Sequence, residues 1–435
     1  MIKKRLAVVG LQTGDEGKGV RVVYYATRAV QKAQWRDGEP PAVWVERWQG
    51  GANAGHSARR GGVMYRLHQV PSGILIPGTY NLMGEGVYFN PREGMREIQE
   101  LQRTLNVNPS NFGIASNAHV TLDYHVEEDR GDREKKNHTS TGRGIKPTAV
   151  DKAGRIGLRF EEFLDRDTFI QVLTERRFPK TFPTSLGSIE RFVDSYQEQM
   201  EFLREFSVLQ TSALKGNGNF KYGIGEGAQG FRLDQDRGLF PGTTSSNPAI
   251  VPFRTDLVLG IVKMYESSVG HDRPFVGQMK PELEGGVRDL WGERGTTTGL
   301  PRDLGWFDVV AVKHAIESCE VDYLVSTCGD RLEVMKDRGE IIKLVVAYDL
   351  DGKEHREWDK SFHNRTTLYR ARPVFEEFEP WEKFVQDNGK LDPRAQAYID
   401  RIQQLTGREF ILHGTGQGVE DVIELKDAFE LSRAA

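Results

Sequence analysis

Short apolar runs that stop at glycine or at a polar turn recur along the chain: "RLAVVG", "AVWVERW", "FGIAS", "YGIGEG", "DYLVST" and "REFILHG". Runs of this length suit strands buried on both faces of a parallel sheet. Helical patterns lie between them. In "PREGMREIQELQRTL", Met95, Ile98, Leu101 and Leu105 recur at three- and four-residue spacing. In "DPRAQAYIDRIQQL", Ala395, Tyr398, Ile399, Ile402 and Leu405 do the same, with Pro393 near the start. The alternation predicts an α/β fold, with a large, mostly parallel central sheet flanked by helices. Sites in that class form beyond the carboxyl ends of strands, where the glycine-rich segments of this chain fall. No repeat or low-complexity linker divides residues 1–435, which read as a single domain.

Composition narrows the function classes. Net charge is −4 and the basic residues are dispersed, which argues against a nucleic-acid partner. The only cysteines, Cys319 and Cys328, are too few for a disulfide framework and predict a reducing compartment. No stretch reaches the ~20 apolar residues that span a bilayer. The opening "MIKKRLAVVG" runs into a glycine loop, unlike a signal peptide. The expected location is the cytoplasm. The most charged stretch, "HVEEDRGDREKKNH" at 125–138, reads as a solvated loop or a flap beside a site.

"VVGLQTGDEGKGV", residues 8–20, carries the first chemical signal. A strand-like run enters a glycine-rich turn with a lysine, in the manner of a P-loop. The standard pattern has four residues between its first glycine and its Gly-Lys pair, then Ser or Thr for magnesium. Here six residues separate Gly10 from Gly17 and Lys18, and Gly19 follows. The amides and Lys18 can still cradle phosphates. Asp15 can supply a magnesium oxygen or act as a base, the bland alternative being a helix N-cap. Glu16 has no evident role beyond capping the turn. "WQGGANAGHS" brings His56 to the end of two glycine-rich turns. "STGRGIKP" offers Thr141 and Arg143 to a phosphate, and "GTTTGLPRDLGW" offers threonines and Arg302 to a carboxylate or phosphate.

In chain order, "GDEGKG", "QGGANAGHS", "LHQVPSGIL", "LDYH", "TGRGI-P", "DK--R-GLR", "EGAQG", "TSSN", "GTTTG-PR--GW", "STCGD" and "HGTGQG" resemble adenylosuccinate synthetases over nearly the whole length. The resemblance implies a ligase that couples L-aspartate to the 6-oxo carbon of a purine nucleoside monophosphate, with GTP and Mg2+. An aspartate, here Asp15, takes the purine N1 proton. The 6-oxygen attacks the γ-phosphate, and the amine of aspartate then displaces phosphate. His56 would steady the transferring phosphoryl group. Asp15 and the Gly55 carbonyl would hold the metal. Gly17, Lys18, Gly19, Asp330, Gly414, Gly416 and Gln417 would bind the triphosphate donor. Asn53, Thr141, Gln229 and Thr244 would bind the purine nucleotide, joined by Arg155 from the second subunit of a homodimer. Thr297, Thr298 and Arg302 would bind L-aspartate.

The chain also departs from that pattern. Leu300 stands where the family has an arginine that reaches the ribose 2′-hydroxyl, and Asp303 replaces a further arginine. An apolar Leu300 tolerates a deoxyribose. Cys328 replaces the lysine over the donor base, and Gln417 replaces a proline, so ATP competes with GTP as the expected donor; Asp330, which accepts from guanine, remains. Thr13 replaces an aromatic residue and Val20 a lysine. A phage branch of the family uses dGMP and makes the 2-amino-2′-deoxy analogue of adenylosuccinate. Leu300 fits that branch, whereas retention of Asp15 fits IMP. The sequence leans to dGMP, with IMP and GTP as the alternative. An inactive nucleotide-binding homologue fits poorly with the joint presence of Asp15, Lys18, His56 and Gln229.

Overall fold

The apolar runs become buried strands of a mixed α/β fold with a large, mostly parallel sheet. The computed structural model describes residues 2–136, 140–177, 186–209, 220–269, 275–295 and 299–433. Two compact units emerge. The first is Met1–Arg5, Val22–Ser57 and Tyr65–Glu226; the second is Leu6–Arg21, Ala58–Met64 and Gly227–Ala435.

In the first unit the parallel strands Ser207–Val208, Phe112–Ala115, Thr79–Met83, Val43–Arg47 and Tyr222–Glu226 lie side by side in that order. In the second, residues 6–10 of the strand Lys4–Gly10 run parallel with Leu257–Lys263, Tyr323–Thr327 and Phe410–Gly414, and Val422–Glu424 is added antiparallel. A smaller sheet in the second unit pairs Tyr265–Val269 with Arg302–Asp308. The latter continues in parallel to Ile342–Leu350. The main strands are buried along almost their full length, which explains their continuous apolar runs.

Both predicted helices form. Pro91–Gln102 starts with a proline at its first turn, and Asn90 caps it by accepting from the Glu93 amide at 3.1 Å. Met95, Ile98 and Leu101 are buried, while Leu105 lies past the helix end. Pro393–Thr406 is capped by Asp392 and stopped by Gly407 at φ 66°, where a side chain would be strained.

The charged stretch at 125–138 is not the predicted loop. The helix Asp123–Lys136 covers most of it. Its polar residues include two buried anchors. His125 accepts from the Leu122 amide through Nδ1 (3.0 Å), so its Nε2 donates to Asp151, also at 3.0 Å. Asp129 accepts from the Ser140 hydroxyl (2.7 Å) and the Gly144 amide (2.9 Å), which secures the turn carrying Thr141 and Arg143. Among the described residues no helix is long and apolar enough to cross a membrane.

Candidate active site

The loop between strand Lys4–Gly10 and helix Lys18–Ala33 is built around the residue the sequence left idle. Glu16 is fully buried. Its carboxylate accepts from the amides of Gln12 (3.2 Å) and Gly14 (2.8 Å) and pairs with Lys18 Nζ at 2.5 Å. It therefore staples the turn from inside rather than capping it. A Cβ at Gly10 or at Gly230 would collide with that carboxylate, so both glycines are needed for close approach. Gly17 adopts φ 90°, and the Thr327 hydroxyl donates to the Glu16 carbonyl at 2.8 Å.

Asp15 is not an N-cap. It sits in the left-handed region at φ 58° and faces Arg302, which donates to its carboxylate. The other arm of Arg302 donates to the buried carboxylate of Glu293. The residue read as base and the arginine read as aspartate's carboxylate partner are thus in contact. Thr297 and Thr298 lie outside the described residues. Thr13, which stands in place of an aromatic residue, uses its hydroxyl to donate to the Ser267 carbonyl and so ties the loop to the smaller sheet.

Gln12 braces the same loop. Its amide donates to the carbonyl of Tyr265 (2.9 Å) and to Glu266 (3.1 Å), and accepts from the Lys263 amide (2.7 Å). Glu266 is fully buried, with Arg232 no closer than 3.9 Å. Burial pushes its carboxyl up to about 8; Arg232 pulls it down, and Asp308 raises it further. In the unfolded chain this group ionises near 4.5, so between about 4.5 and 8 the folded state holds the extra proton and stability falls as pH rises. Glu266→Gln is therefore expected to raise the melting temperature more at pH 8 than at pH 5. Equal shifts at both pH values would argue against a neutral Glu266.

Of the residues read as donor-binding, Asp330 opens the turn Asp330–Glu333, and burial raises its carboxyl. Cys328 sits at φ 60° and is half-buried. Gly414 ends its strand beside Thr327. Gly416 packs against the Asp421 carboxylate, and Gln417 is exposed. Gln229, at φ 57°, has both amide atoms shielded from solvent without a hydrogen-bonding partner among the described residues. Such an orphaned amide is costly unless a ligand satisfies it. Thr244 is half-buried in the second unit, where its amide donates to the Leu233 carbonyl.

In the first unit, His56 begins a strand and is buried. Its Nδ1 bonds to Glu226, so Nε2 lies on the side away from that carboxylate. Glu226 also accepts from Arg47 (2.9 Å) and from the amide and hydroxyl of Ser72 (2.7 and 2.6 Å). Burial alone would raise its carboxyl, but Arg47 and His56 outweigh it and hold the group at about 2. Asn53 and Gly55 precede His56 in the same half-buried turn. Thr141 is half-buried, and Arg143 pairs with Glu93. Arg155 is exposed at φ 58° and lines a cavity of about 500 Å³ with His119, Lys152, Arg159, Arg176 and Glu162. Burial and then Lys152 and Arg159 push His119 down to about 4.

Sequence reasoning missed Arg47, Glu226, Lys263, Glu266, Glu293 and Arg331. A signal existed for some of them: Arg47, Glu226 and Lys263 are charges at the carboxyl ends of otherwise apolar strands.

A glycine-rich loop at the end of a parallel strand, holding a lysine and a base-capable carboxylate against a buried arginine, defines a nucleotide-dependent enzyme of the P-loop-like α/β kind. The match to known proteins is more specific. The family model for adenylosuccinate synthetase covers residues 7–423. An adenylosuccinate synthetase of Streptococcus gordonii is 34% identical over 425 residues, spanning 92% of this chain and 94% of that protein. One from Listeria monocytogenes is 33% identical over 452 residues, spanning 98% and 99%. A solved, fully ligated adenylosuccinate synthetase from Plasmodium falciparum superposes with a TM-score of 0.83 at 24% identity, covering 97% of this chain and 99% of that one. A cyanophage S-2L succinoaminodeoxyadenylate synthetase, solved with dGMP and dATP, reaches 0.57 at 17% identity, covering 98% and 97%. The chain belongs to the adenylosuccinate synthetase family and is a ligase that forms a C–N bond.

Proposed function

We propose that the chain joins L-aspartate to the 6-oxo carbon of IMP, with GTP as phosphate donor and Mg2+ as metal, as a homodimer. The contact between Asp15 and Arg302 carries this reading, because it joins a base to a carboxylate-binding guanidinium. The relatives that align over nearly the full length at 33–34% identity favour IMP over dGMP.

Asp15 takes the N1 proton, which turns an amide-like oxygen into a nucleophile. Lys18 and the amides of Gly17 and Gly19 hold the donor phosphates, and His56, oriented by Glu226, steadies charge on the transferring group. Arg302 receives the carboxylate of aspartate, with Thr297 and Thr298 beside it. Gln229, Asn53, Thr141 and Thr244 hold the purine nucleotide, and Arg155 joins them from the second subunit; its exposure suits that role. Asp330, Gly414, Gly416 and Gln417 address the donor. A carboxylate from Asp15 and the carbonyl of Gly55 are hard oxygen ligands suited to Mg2+. Such an ion supplies charge neutralisation on the phosphates.

One observation favours a second reading with dGMP: Leu300, 39% exposed, stands in place of the arginine that would reach a ribose hydroxyl. Phosphate release with IMP, dIMP, GMP or dGMP, each with GTP or ATP, decides between them. Turnover with IMP and GTP is expected; turnover with dGMP alone would overturn the IMP reading. Leu300→Arg is expected to shift preference toward ribonucleotides by about tenfold. An unchanged IMP-to-dIMP ratio would remove Leu300 from sugar selection.

A further inference from the structure

Three cations and a phenol converge on one carboxylate in the second unit. Glu293 is fully buried. It accepts from Lys263 Nζ at 3.1 and 3.2 Å, from Arg331 Nη1 at 2.6 Å, from Arg302 Nη1 and from the Tyr265 hydroxyl. Burial alone would raise its carboxyl, but Lys263, Arg302 and Arg331 overcome this and hold it well below the usual carboxylate range. The backbone makes the same join. Arg302 donates its amide to the Glu293 carbonyl at 3.1 Å, and the Gly295 amide donates to Leu300 at 2.8 Å. Glu293 and Arg302 therefore flank the aspartate segment where it leaves and where it returns. Arg331 directly follows Asp330 of the donor side and also donates to Tyr265 at 2.7 Å.

We propose that Glu293 is a positioning residue that aims Arg302 at the carboxylate of L-aspartate and, through Arg331, links that aim to the donor-base segment. The proposal rests on the reading of Arg302 as the partner of aspartate. Its physical basis is competition. A guanidinium can give both arms to one carboxylate in a bidentate pair. Glu293 occupies Nη1, so Asp15 receives Nη2 only. An incoming carboxylate can take that second arm and release Asp15. Without Glu293, Arg302 can close on Asp15 with both arms, which withholds the binding group and the base together.

The test is steady-state kinetics of the full-length enzyme with L-aspartate, purine nucleotide and donor varied in turn. Glu293→Gln is expected to raise the KM for L-aspartate about tenfold or more, the worth of one lost charge-assisted hydrogen bond. The KM for the purine nucleotide should stay within about twofold, a selectivity that general loosening would not give. Glu293→Asp keeps the charge with a shorter reach and should fall between the two. Arg331→Met should raise the donor KM and, through Glu293, the L-aspartate KM by about threefold each. A folded Glu293→Gln enzyme with a native KM for L-aspartate would overturn the proposal. If that variant does not fold, native L-aspartate KM values in both Glu293→Asp and Arg331→Met would do the same. Arg302→Gln separates the two readings. A native KM in Arg302→Gln removes the aspartate assignment itself, whereas a raised KM there with no effect at Glu293 removes only the positioning role.

Discussion

Asp15→Asn is expected to lower turnover by about a thousandfold, the range seen when a positioned general base is lost. The variant keeps an oxygen that can accept from Arg302 but cannot take the N1 proton. Asparagine is also suited to the backbone, since Asp15 sits at φ 58°, where asparagine is tolerated and alanine is strained. The loop should hold its shape, because Glu16 rather than Asp15 receives the internal amides. Phosphate release gives the rate, and an unchanged melting curve confirms the fold. Residual activity within tenfold of native would end the assignment of Asp15 as base.

Glu226→Ala should be the most destabilising of these single changes, by about 3–5 kcal/mol, because it strands Arg47 without its buried partner. It should also lower turnover, since His56 loses the group that fixes its ring. The pH dependence has a definite sign. Folding lowers the Glu226 carboxyl from 4.5 to about 2, so its stabilising contribution is complete above 4.5 and is lost as pH falls toward 2. Glu226→Gln should therefore have a shallower loss of stability across that acid window than the native chain. Parallel acid-unfolding curves for the two would show that Glu226 is not held ionised by folding.

The strands were legible because burial on both faces leaves an unbroken apolar run, as in Leu257–Lys263. The glycine-rich turn was legible because its residues are adjacent in sequence and sit between a strand and a helix. Three kinds of feature were hidden. The helix Asp123–Lys136 reads as solvated because a charge count does not reveal that His125 and Asp129 are turned inward. The Glu293 cluster joins residues 263, 265, 293, 302 and 331, whose proximity depends on how strands and loops return to one place. No local pattern encodes that. Glu16 was hidden for a third reason: a fully enclosed carboxylate runs against its solvation preference, so an adjacent acid pair such as Asp15–Glu16 looks like one function rather than two.

The wedge of Glu16 between Gly10 and Gly230 also bears on how this loop can change over generations. A side chain at Gly10 requires Glu16 to leave, whereas one at Gly230 also meets the Gln12 carbonyl and the Gly14 amide. Removing Glu16 strands Lys18 and two amides. Each one-step route therefore passes through a damaged intermediate, although the three positions span more than half the chain. In a saturation library, positions 10 and 16 should behave as one inherited block, with tolerated substitutions appearing in combination and almost none singly, while Gly230 should tolerate none because the loop backbone still blocks it.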